Sequence, residues 1–165
     1  MDRCIIYVMG VSGSGKTTIG KKLAAKIKFP FFDGDDFHSE ANKEKMKAGH
    51  PLTDDDRAGW LKSINELAKD QMQKNGAVIA CSALKEKYRT ILSTGITAPL
   101  FWIFLQGSFD QIKKRMEERK GHFMQPQMLL SQFNTLEIPE NAITTDISKS
   151  PDEILEQIIS AIKKN

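Results

Sequence analysis

The sequence predicts an α/β fold with a mostly parallel β-sheet flanked by helices. Short apolar runs, each as long as a buried strand, alternate with amphipathic helical segments along all 165 residues. Continuous apolar runs are typical of parallel strands, which are covered on both faces, and alternation with helices is typical of βαβ units. No repeat, low-complexity tract or linker divides the chain, and this length is enough to bury one substantial core. We therefore expect a single domain over residues 1–165.

Five segments are predicted to be strands because each is a short apolar run between helices or turn residues. In chain order they are residues 4–9, 31–33, 77–81, 100–105 and 142–147. Right-handed crossovers place the carboxyl ends of parallel strands at one edge of the sheet, where open α/β sheets bind their ligands. The segments that follow the strands are therefore the expected place for function.

The helices are predicted from apolar residues spaced three or four apart and from the residues that cap them. Ser39, Thr53 and Ser150 have side chains that cap helix N-termini, and Pro151 fits the first helical position. Residues 54–56 are aspartates, which suit the positive end of a helix. The predicted helices cover about residues 16–28, 42–48, 54–75, 86–94, 108–116 and 151–162, whereas residues 119–127 have no clear period and are predicted to be a loop.

Composition argues against several classes of protein. The chain has 24 Lys and Arg against 21 Asp and Glu, and its formal net charge of +3 is too small to indicate a nucleic acid or an anionic membrane as partner. No apolar run approaches the ~20 residues of a membrane-spanning helix. Cys4 and Cys81 form neither a CxxC pair nor a zinc-site spacing. The first residues lack the features of a signal peptide, so we expect a cytoplasmic location.

One motif predicts the ligand class. Residues 10–17 read GVSGSGKT and fit GxxxxGK[ST] at every fixed position, directly after a predicted strand and before a helix. In such a loop, backbone N–H groups and the helix N-terminus surround phosphates, the lysine reaches the β- and γ-phosphates, and the hydroxyl binds Mg²⁺. The motif predicts a nucleoside triphosphate, with Lys16 also catalytic and Thr17 also a metal ligand. The expected nucleotide-binding residues here are Gly10, Ser12, Gly13, Ser14, Gly15, Lys16, Thr17 and Thr18.

Other P-loop classes lack their accompanying motifs. A GTPase needs Asn-Lys-x-Asp on a late strand, but the nearest string, residues 42–45, is early, helical and lacks the aspartate. The DxxG string at residues 56–59 lies at a helix start and not at a strand end. Motor ATPases carry an acid at the end of the strand beside the P-loop strand, where this chain has Cys81 and Ser82. A small P-loop kinase remains.

An acidic turn follows the second predicted strand. Phosphoryl transfer needs a carboxylate near both the metal and the acceptor hydroxyl. If the turn is extended, Asp33 and Asp35 face one side and Asp36 faces the other. We expect Asp35 to be the catalytic base, in contact with the acceptor, and Asp33 to serve the metal, directly or through a water molecule. The alternative is that these acids, Asp36 above all, cap the helix that begins near Ser39.

Five strings occur together and in order between about Gly10 and Glu137: GVSGSGKTT, DGDDFH, NKEKMKAGHPLTDDDRAGWL, CSALKEKYR and RKGHFM…LLSQFNTLE. In this combination the chain resembles the gluconate kinases of the shikimate/gluconate kinase group of P-loop kinases. The resemblance implies transfer of phosphate from ATP, with Mg²⁺, to the 6-hydroxyl of D-gluconate. It also implies the nucleoside-monophosphate-kinase architecture, with a five-stranded parallel sheet and a mobile lid at about residues 119–127, and often a cytoplasmic homodimer.

Gluconate is a monoanion with five hydroxyls, so its site should combine a fork-shaped cation with side chains that bind hydroxyls. Arg57 and Arg89 are the candidate cations, although Arg57 could instead form an ion pair at the helix start. Lys85, His38 and His122 are the further candidate contacts of the acceptor. Trp60 and Cys81 are interpreted as packing residues.

Two arginines are assigned near the predicted lid. Related kinases imply that Arg115 lies near the adenine and that Arg119 belongs to the lid, where it would offset charge on the γ-phosphate. A surface helix with an Arg–Glu pair is the alternative for both. Two other functions stay open: a kinase of the same fold that acts on another small acceptor, such as shikimate, and a nucleotide-binding regulatory module without a transfer reaction.

Overall fold

The computed structural model describes residues 1–119 and 125–165. Within these ranges five strands form one sheet in the order β2-β3-β1-β4-β5, and every neighbouring pair is parallel. The strands are β1 Ile5–Met9, β2 Phe31–Asp33, β3 Ala77–Ala80, β4 Leu100–Gln106 and β5 Ile143–Asp146. The predicted α/β class with a parallel sheet is confirmed, and each strand lies where the apolar runs place it.

Helices connect the strands and cover the sheet. In the described residues they are α1 Lys16–Ile27, α2 Glu40–Lys47, α3 Asp54–Met72, α4 Glu86–Ser93, α5 Phe109–Glu118, α6 Pro126–Thr135 and α7 Pro151–Lys164, with a short 3-10 helix at Gly34–Phe37. None of the helices in these ranges is long and apolar enough to cross a membrane.

The predicted caps are present. The side chain of Ser39 accepts a hydrogen bond from the N–H of Asn42 at the start of α2. Thr53 and Ser150 form reciprocal capping boxes with Asp56 and Glu153, which satisfy N–H groups that the helices cannot bond themselves. These caps fix where α2, α3 and α7 begin.

Helix α6 was not predicted, and the predicted loop at 119–127 is wrong at its last two residues, Pro126 and Gln127, which open this helix. Its N-cap residue, Gln125, makes no side-chain hydrogen bond as a cap, so the commonest start signal is missing. The remaining signals are Pro126 at the first position and the buried pair Met128 and Leu129. Residues 120–124, the middle of the predicted lid, lie outside the described part of the chain.

Strand β1 is the centre of the core. Its side chains alternate between two apolar layers: Ile6 and Val8 pack with residues of α1 and α7, and Ile5, Tyr7 and Met9 pack with residues of α3 and α4. All five are fully buried. Because helices cover both faces, the loop that follows β1 is held at the carboxyl edge of a rigid sheet.

Gly76, the residue before β3, is predicted to be important for the stability of the fold. Gly76 has φ +83°, and a Cβ there would lie 2.2 Å from the backbone oxygen of Cys4. Gly76→Ala should lower the free energy of unfolding by at least the ~1–2 kcal/mol of left-handed strain, with the clash in addition. Gly59→Ala, in an open position of α3 with nothing within 4 Å, should instead raise it by about 0.5–1 kcal/mol. Urea unfolding of both variants checks this, and equal stability of the two would contradict it.

Candidate active site

The phosphate loop joins β1 to α1 at the carboxyl edge of the sheet. Gly10 and Gly13 have φ +149° and +79°, values that favour glycine, and a Cβ on Gly10 would lie 2.7 Å from Oγ of Ser14. Among the described residues no side chain caps the start of α1, where Gly15 is the N-cap residue. Its first N–H groups and its positive dipole end are therefore available for phosphate.

Lys16 lies over this loop. Its Nζ donates to the backbone oxygens of Gly10 and Val11, both at 3.0 Å. Burial lowers the pKa of Lys16, while the nearby carboxylates of Asp35 and Asp33 act in the opposite direction. The ammonium is thus held within the site by weak acceptors that a phosphate oxygen can replace.

The acidic turn is folded and not extended. Asp33 ends β2, its Oδ1 accepts a hydrogen bond of 3.0 Å from the N–H of Asp35, and its Oδ2 accepts one of 3.2 Å from the hydroxyl of Thr17. The first of these bonds caps the 3-10 helix Gly34–Phe37. The extended geometry assumed for the turn is therefore wrong. The predicted cap Ser39 is confirmed for α2, which excludes the alternative that Asp36 caps this helix.

Asp35 and Asp36 nevertheless point to different regions, because a 3-10 helix turns by a third of a circle per residue. Asp35 lies near Lys16, whereas Asp36 lies near Lys21 and Phe37 on another face. The carboxylate of Asp35 reaches solvent, but protein surrounds it closely, and this partial burial raises its pKa. Lys16 opposes the rise, and the neighbouring carboxylates of Asp33 and Asp36 add to it.

Two clefts meet at Asp35. The first, which we name the loop cleft, has a volume of about 600 Å³ and lies over the phosphate loop, with Thr17, Asp33 and Arg119 on its walls. The second, the side cleft, has a volume of about 460 Å³ and lies between the 3-10 helix, α3 and α6, with Arg57 and Trp60 on its walls. Among the residues that the structure describes, three line both clefts: Ser12, Lys16 and Asp35.

Arg57 supplies positive charge to the side cleft. Its guanidinium donates to the backbone oxygen of Leu52 at 2.6 Å and to the hydroxyl of Tyr88 at 3.2 Å, and it lies 5.3 Å from the centre of the Tyr88 ring. The aspartates of its own helix pair with lysines instead: Asp54 with Lys85 and Asp56 with Lys45. Arg57 is therefore held by a carbonyl, a hydroxyl and an aromatic ring, and its charge is not neutralised by a carboxylate in these contacts.

Lys85 also lines the side cleft, beside Asp54. Three donors converge on the carboxylate of Asp54: Lys85, Lys87 and the hydroxyl of Tyr88. These hydrogen bonds, that of Lys87 first, hold the pKa of Asp54 far below its usual range. The cluster fixes Tyr88, and through it Arg57, at the side of the cleft.

The floor of the side cleft is aromatic. His38 is 7% exposed and stacks on Trp60, with ring centres 4.1 Å apart. Burial, and then the positive charges of Arg57 and Lys43, lower the pKa of His38 to about 4, so the ring is neutral at neutral pH. Trp60 packs in the core as its helical position predicts, but it also lines the cleft, and its Nε1 donates to the backbone oxygen of Gly34 at 2.7 Å.

Comparisons with known proteins identify the family of the chain. The family model described as shikimate kinase matches residues 12–163. A probable gluconokinase from Dictyostelium discoideum is 45% identical, over 98% of this chain and 88% of its own. The thermoresistant gluconokinase of Escherichia coli K12 is 41% identical, over 99% of this chain and 95% of its own. The crystal structure of a gluconokinase from Sinorhizobium meliloti 1021 superposes with a TM-score of 0.90 at 38% identity, covering 97% of this chain and 91% of that one.

The chain belongs to the gluconokinase family. The resemblance inferred from the sequence strings is confirmed, and with it the kinase class. An APS kinase from Mycobacterium tuberculosis in complex with AMPPNP and APS shares the fold, with a TM-score of 0.72 at 16% identity.

Within this gluconokinase-family fold, one candidate for the acceptor site lies elsewhere. Arg89 is 4% exposed and does not line the side cleft. Its guanidinium donates to the side chain of Glu86 and to the backbone oxygens of Ala83 and Glu137, at 2.7–2.9 Å for its terminal nitrogens. These bonds tie α4 to the segment after α6. In these contacts Arg89 links elements of the fold, and its role in substrate binding stays a prediction.

The residues near the predicted lid are only partly described. Arg119 lies on the wall of the loop cleft, and Arg115 donates to the backbone oxygen of Ile147, just after β5. Their roles at the γ-phosphate and the adenine stay predictions. His122, a candidate acceptor contact, lies outside the described residues.

Sequence reasoning missed one wall of the side cleft altogether. Helix α6 contributes Met128, Ser131, Gln132 and Thr135 to it. The string that contains them was part of the family resemblance, but its residues received no role because α6 was not predicted. Polar residues at helical spacing after Pro126 are the signal that could have found them.

Proposed function

We propose that this chain is a gluconokinase that transfers the γ-phosphoryl group of ATP to the 6-hydroxyl of D-gluconate, giving 6-phospho-D-gluconate and ADP. The observation that carries the proposal is that the loop cleft and the side cleft meet at Lys16 and Asp35. A phosphate-binding lysine and a carboxylate at such a junction suit transfer between two bound small molecules. The identities of 41–45% with gluconokinases over nearly the whole chain support the choice of acceptor.

The side cleft fits a small polyhydroxy anion. A volume of about 460 Å³ is in the range of small-molecule sites. Arg57 offers a planar fork for a carboxylate, and Lys85 offers a second cation. Hydroxyl groups of Thr53, Ser131 and Thr135 line the same cleft and can bond to the hydroxyls of the sugar acid.

The donor set beside the phosphate loop fits Mg²⁺. The hydroxyl of Thr17 and the carboxylate of Asp33 lie 3.2 Å apart, and both are hard oxygen ligands. Within residues 1–119 and 125–165 no group of three or more His, Cys, Asp or Glu forms a ready metal cage. Mg²⁺ commonly binds through one or two protein groups together with nucleotide phosphates, where it neutralises phosphate charge.

The side chains have distinct tasks in this proposal. Lys16 moves from the Gly10 and Val11 carbonyls to the migrating phosphoryl group, which it holds by a charge-assisted bond. Asp35 orients the acceptor hydroxyl and accepts its proton. Arg119, at the wall of the loop cleft, offsets charge on the transferring group.

We also propose a cytoplasmic enzyme, often a homodimer in this family, whose partner is a small-molecule substrate. Neither a nucleic acid nor a membrane is part of the proposal. The formal net charge of +3 is too small to favour a nucleic acid or an anionic membrane as a partner.

Coupled assays of ADP release across a panel of acceptors test the proposed function. We expect turnover with D-gluconate, and little or none with shikimate or other sugar acids. Equal or better turnover of shikimate would overturn the choice of acceptor. ATP binding without any acceptor-dependent ADP release would favour the regulatory module instead.

Substitution of Arg57 tests whether this residue binds the acceptor. Arg57→Lys keeps the charge but loses the planar fork, so we expect the KM for gluconate to rise roughly ten- to hundredfold, the equivalent of one charge-assisted bond of about 1.5–3 kcal/mol. The kcat and the KM for ATP should change little. Steady-state kinetics check this, with Lys62→Ala as the control because Lys62 is an exposed cation of the same helix. An unchanged KM for gluconate would remove Arg57 from the acceptor site.

A further inference from the structure

Helix α6 is bonded directly to the phosphate loop. The backbone N–H of Ser12 donates to Oε1 of Gln132 at 2.7 Å, and Nε2 of Gln132 donates to Oγ of Ser12 at 3.2 Å. Both ends of one side-chain amide are therefore used on one residue, 120 positions earlier in the chain. Two hydrogen bonds to the same residue fix its orientation as well as its distance, which a single bond would not do.

Ser12 lies where the two clefts meet. Ser12 lines both the loop cleft and the side cleft, as Lys16 and Asp35 do. Gln132 lines the side cleft too, with Met128, Ser131 and Thr135 of the same helix. The amide thus joins the wall that would hold the acceptor to the loop that would hold the phosphates.

We propose that Gln132 is a positioning residue for phosphoryl transfer. By holding Ser12, it keeps the acceptor wall and the phosphate loop in one register, so that the acceptor hydroxyl and the γ-phosphoryl group meet in line. This proposal rests on the proposed kinase function. In-line transfer depends steeply on alignment, and a misplacement of about 1 Å can reduce the rate roughly a hundredfold.

Glutamine suits this role for a chemical reason. Its amide accepts from the Ser12 N–H and donates to the Ser12 hydroxyl at once. Asparagine carries the same amide on a side chain that is one methylene shorter, so it cannot make both contacts from the same place on α6. The substitution therefore keeps the polarity of the side chain while it removes the double contact with Ser12.

Two variants and one control separate positioning from a purely structural role. Gln132→Leu should lower kcat roughly ten- to hundredfold, while the KM values for gluconate and ATP stay within about threefold. Gln132→Asn should lower kcat by a similar factor, because the shorter side chain cannot hold Ser12 with both ends of its amide. Asn134→Leu, an exposed amide on the same helix, should behave as wild type. Thermal unfolding of each variant accompanies the kinetics, and Gln132→Asn decides the matter if Gln132→Leu does not fold.

The opposite results are equally clear. Full activity of Gln132→Asn, or a rise in KM with kcat unchanged, would overturn the positioning role. Failure of the wild-type chain to use gluconate would instead refute the proposed acceptor, and kcat with the acceptor that the panel identifies would then test Gln132. We expect that kcat to fall by a similar factor in Gln132→Leu, and an unchanged kcat would overturn the proposal.

Discussion

Lys16→Ala is expected to abolish phosphoryl transfer and to weaken ATP binding. The substitution removes a half-buried ammonium whose Nζ lies 3.0 Å from the carbonyl oxygens of Gly10 and Val11, within the phosphate loop. A charge-assisted bond to the migrating phosphoryl group strengthens as charge develops in the transition state, so its loss falls mainly on kcat. Removal of one such donor costs at least ~10²–10³ in kcat, and the cationic lysine should exceed this range.

The measurement separates rate from affinity. Coupled ADP-release assays give kcat, and titration calorimetry gives the Kd for an ATP analogue. Lys22→Ala, an exposed lysine two turns into the same helix, is the matched control and should leave both values unchanged. Near-normal turnover of Lys16→Ala would mean that the phosphate loop has been misassigned.

The sheet and the phosphate loop were predictable because their signals are local. Each strand is a short run of apolar residues. Strand β1 is buried on both faces, so polar residues do not interrupt its apolar run. The phosphate loop needs glycines, a lysine and a hydroxyl at fixed spacing between a strand and a helix, so sequence alone specifies it. Ser39, Thr53 and Ser150 likewise act within three residues of their own position.

What could not be predicted depends on distant contacts. Arg89 follows a strand, as a ligand-binding arginine would. Its guanidinium instead donates to the backbone oxygen of Glu137, 48 residues away, a contact that the local sequence does not indicate. Gln132 meets Ser12 only because α6 folds across the carboxyl edge of the sheet. The extended geometry expected for the acidic turn is wrong for a different reason. The carboxylate of Asp33 caps the residues that follow, which form a 3-10 helix, and helix propensity alone does not indicate this.

The two clefts meet at the carboxyl edge of the sheet, and this arrangement suits phosphoryl transfer better than nucleotide binding alone. Lys16 and Asp35 carry opposite charges and face the same space, with Ser12 between the clefts. Close packing raises the pKa of the carboxyl and lowers that of the ammonium, while their mutual attraction opposes both shifts. A pair balanced in this way can exchange its partners for a phosphoryl group and a hydroxyl without a large electrostatic penalty.

Asp35→Asn should separate chemistry from binding. The amide keeps the shape of the side chain but loses the charge and the base, so kcat should fall by ~10²–10⁴, the typical contribution of a general base. ATP affinity should change little, because the contacts of the phosphate loop remain. The pKa of Asp35 is raised, so wild-type activity should fall as the pH drops through that value and the base becomes protonated, and the variant should lack this dependence.

Asp36→Asn is the matched control, because Asp36 is the next residue of the same 3-10 helix and lies near Lys21, away from both clefts. It should cost much less than Asp35→Asn in kcat. If the two variants behave alike, or if Asp35→Asn mainly raises the KM for gluconate, Asp35 is a binding residue. The base is then Asp33 or no side chain at all, because a loose transition state needs little proton removal before the phosphoryl group has left ATP.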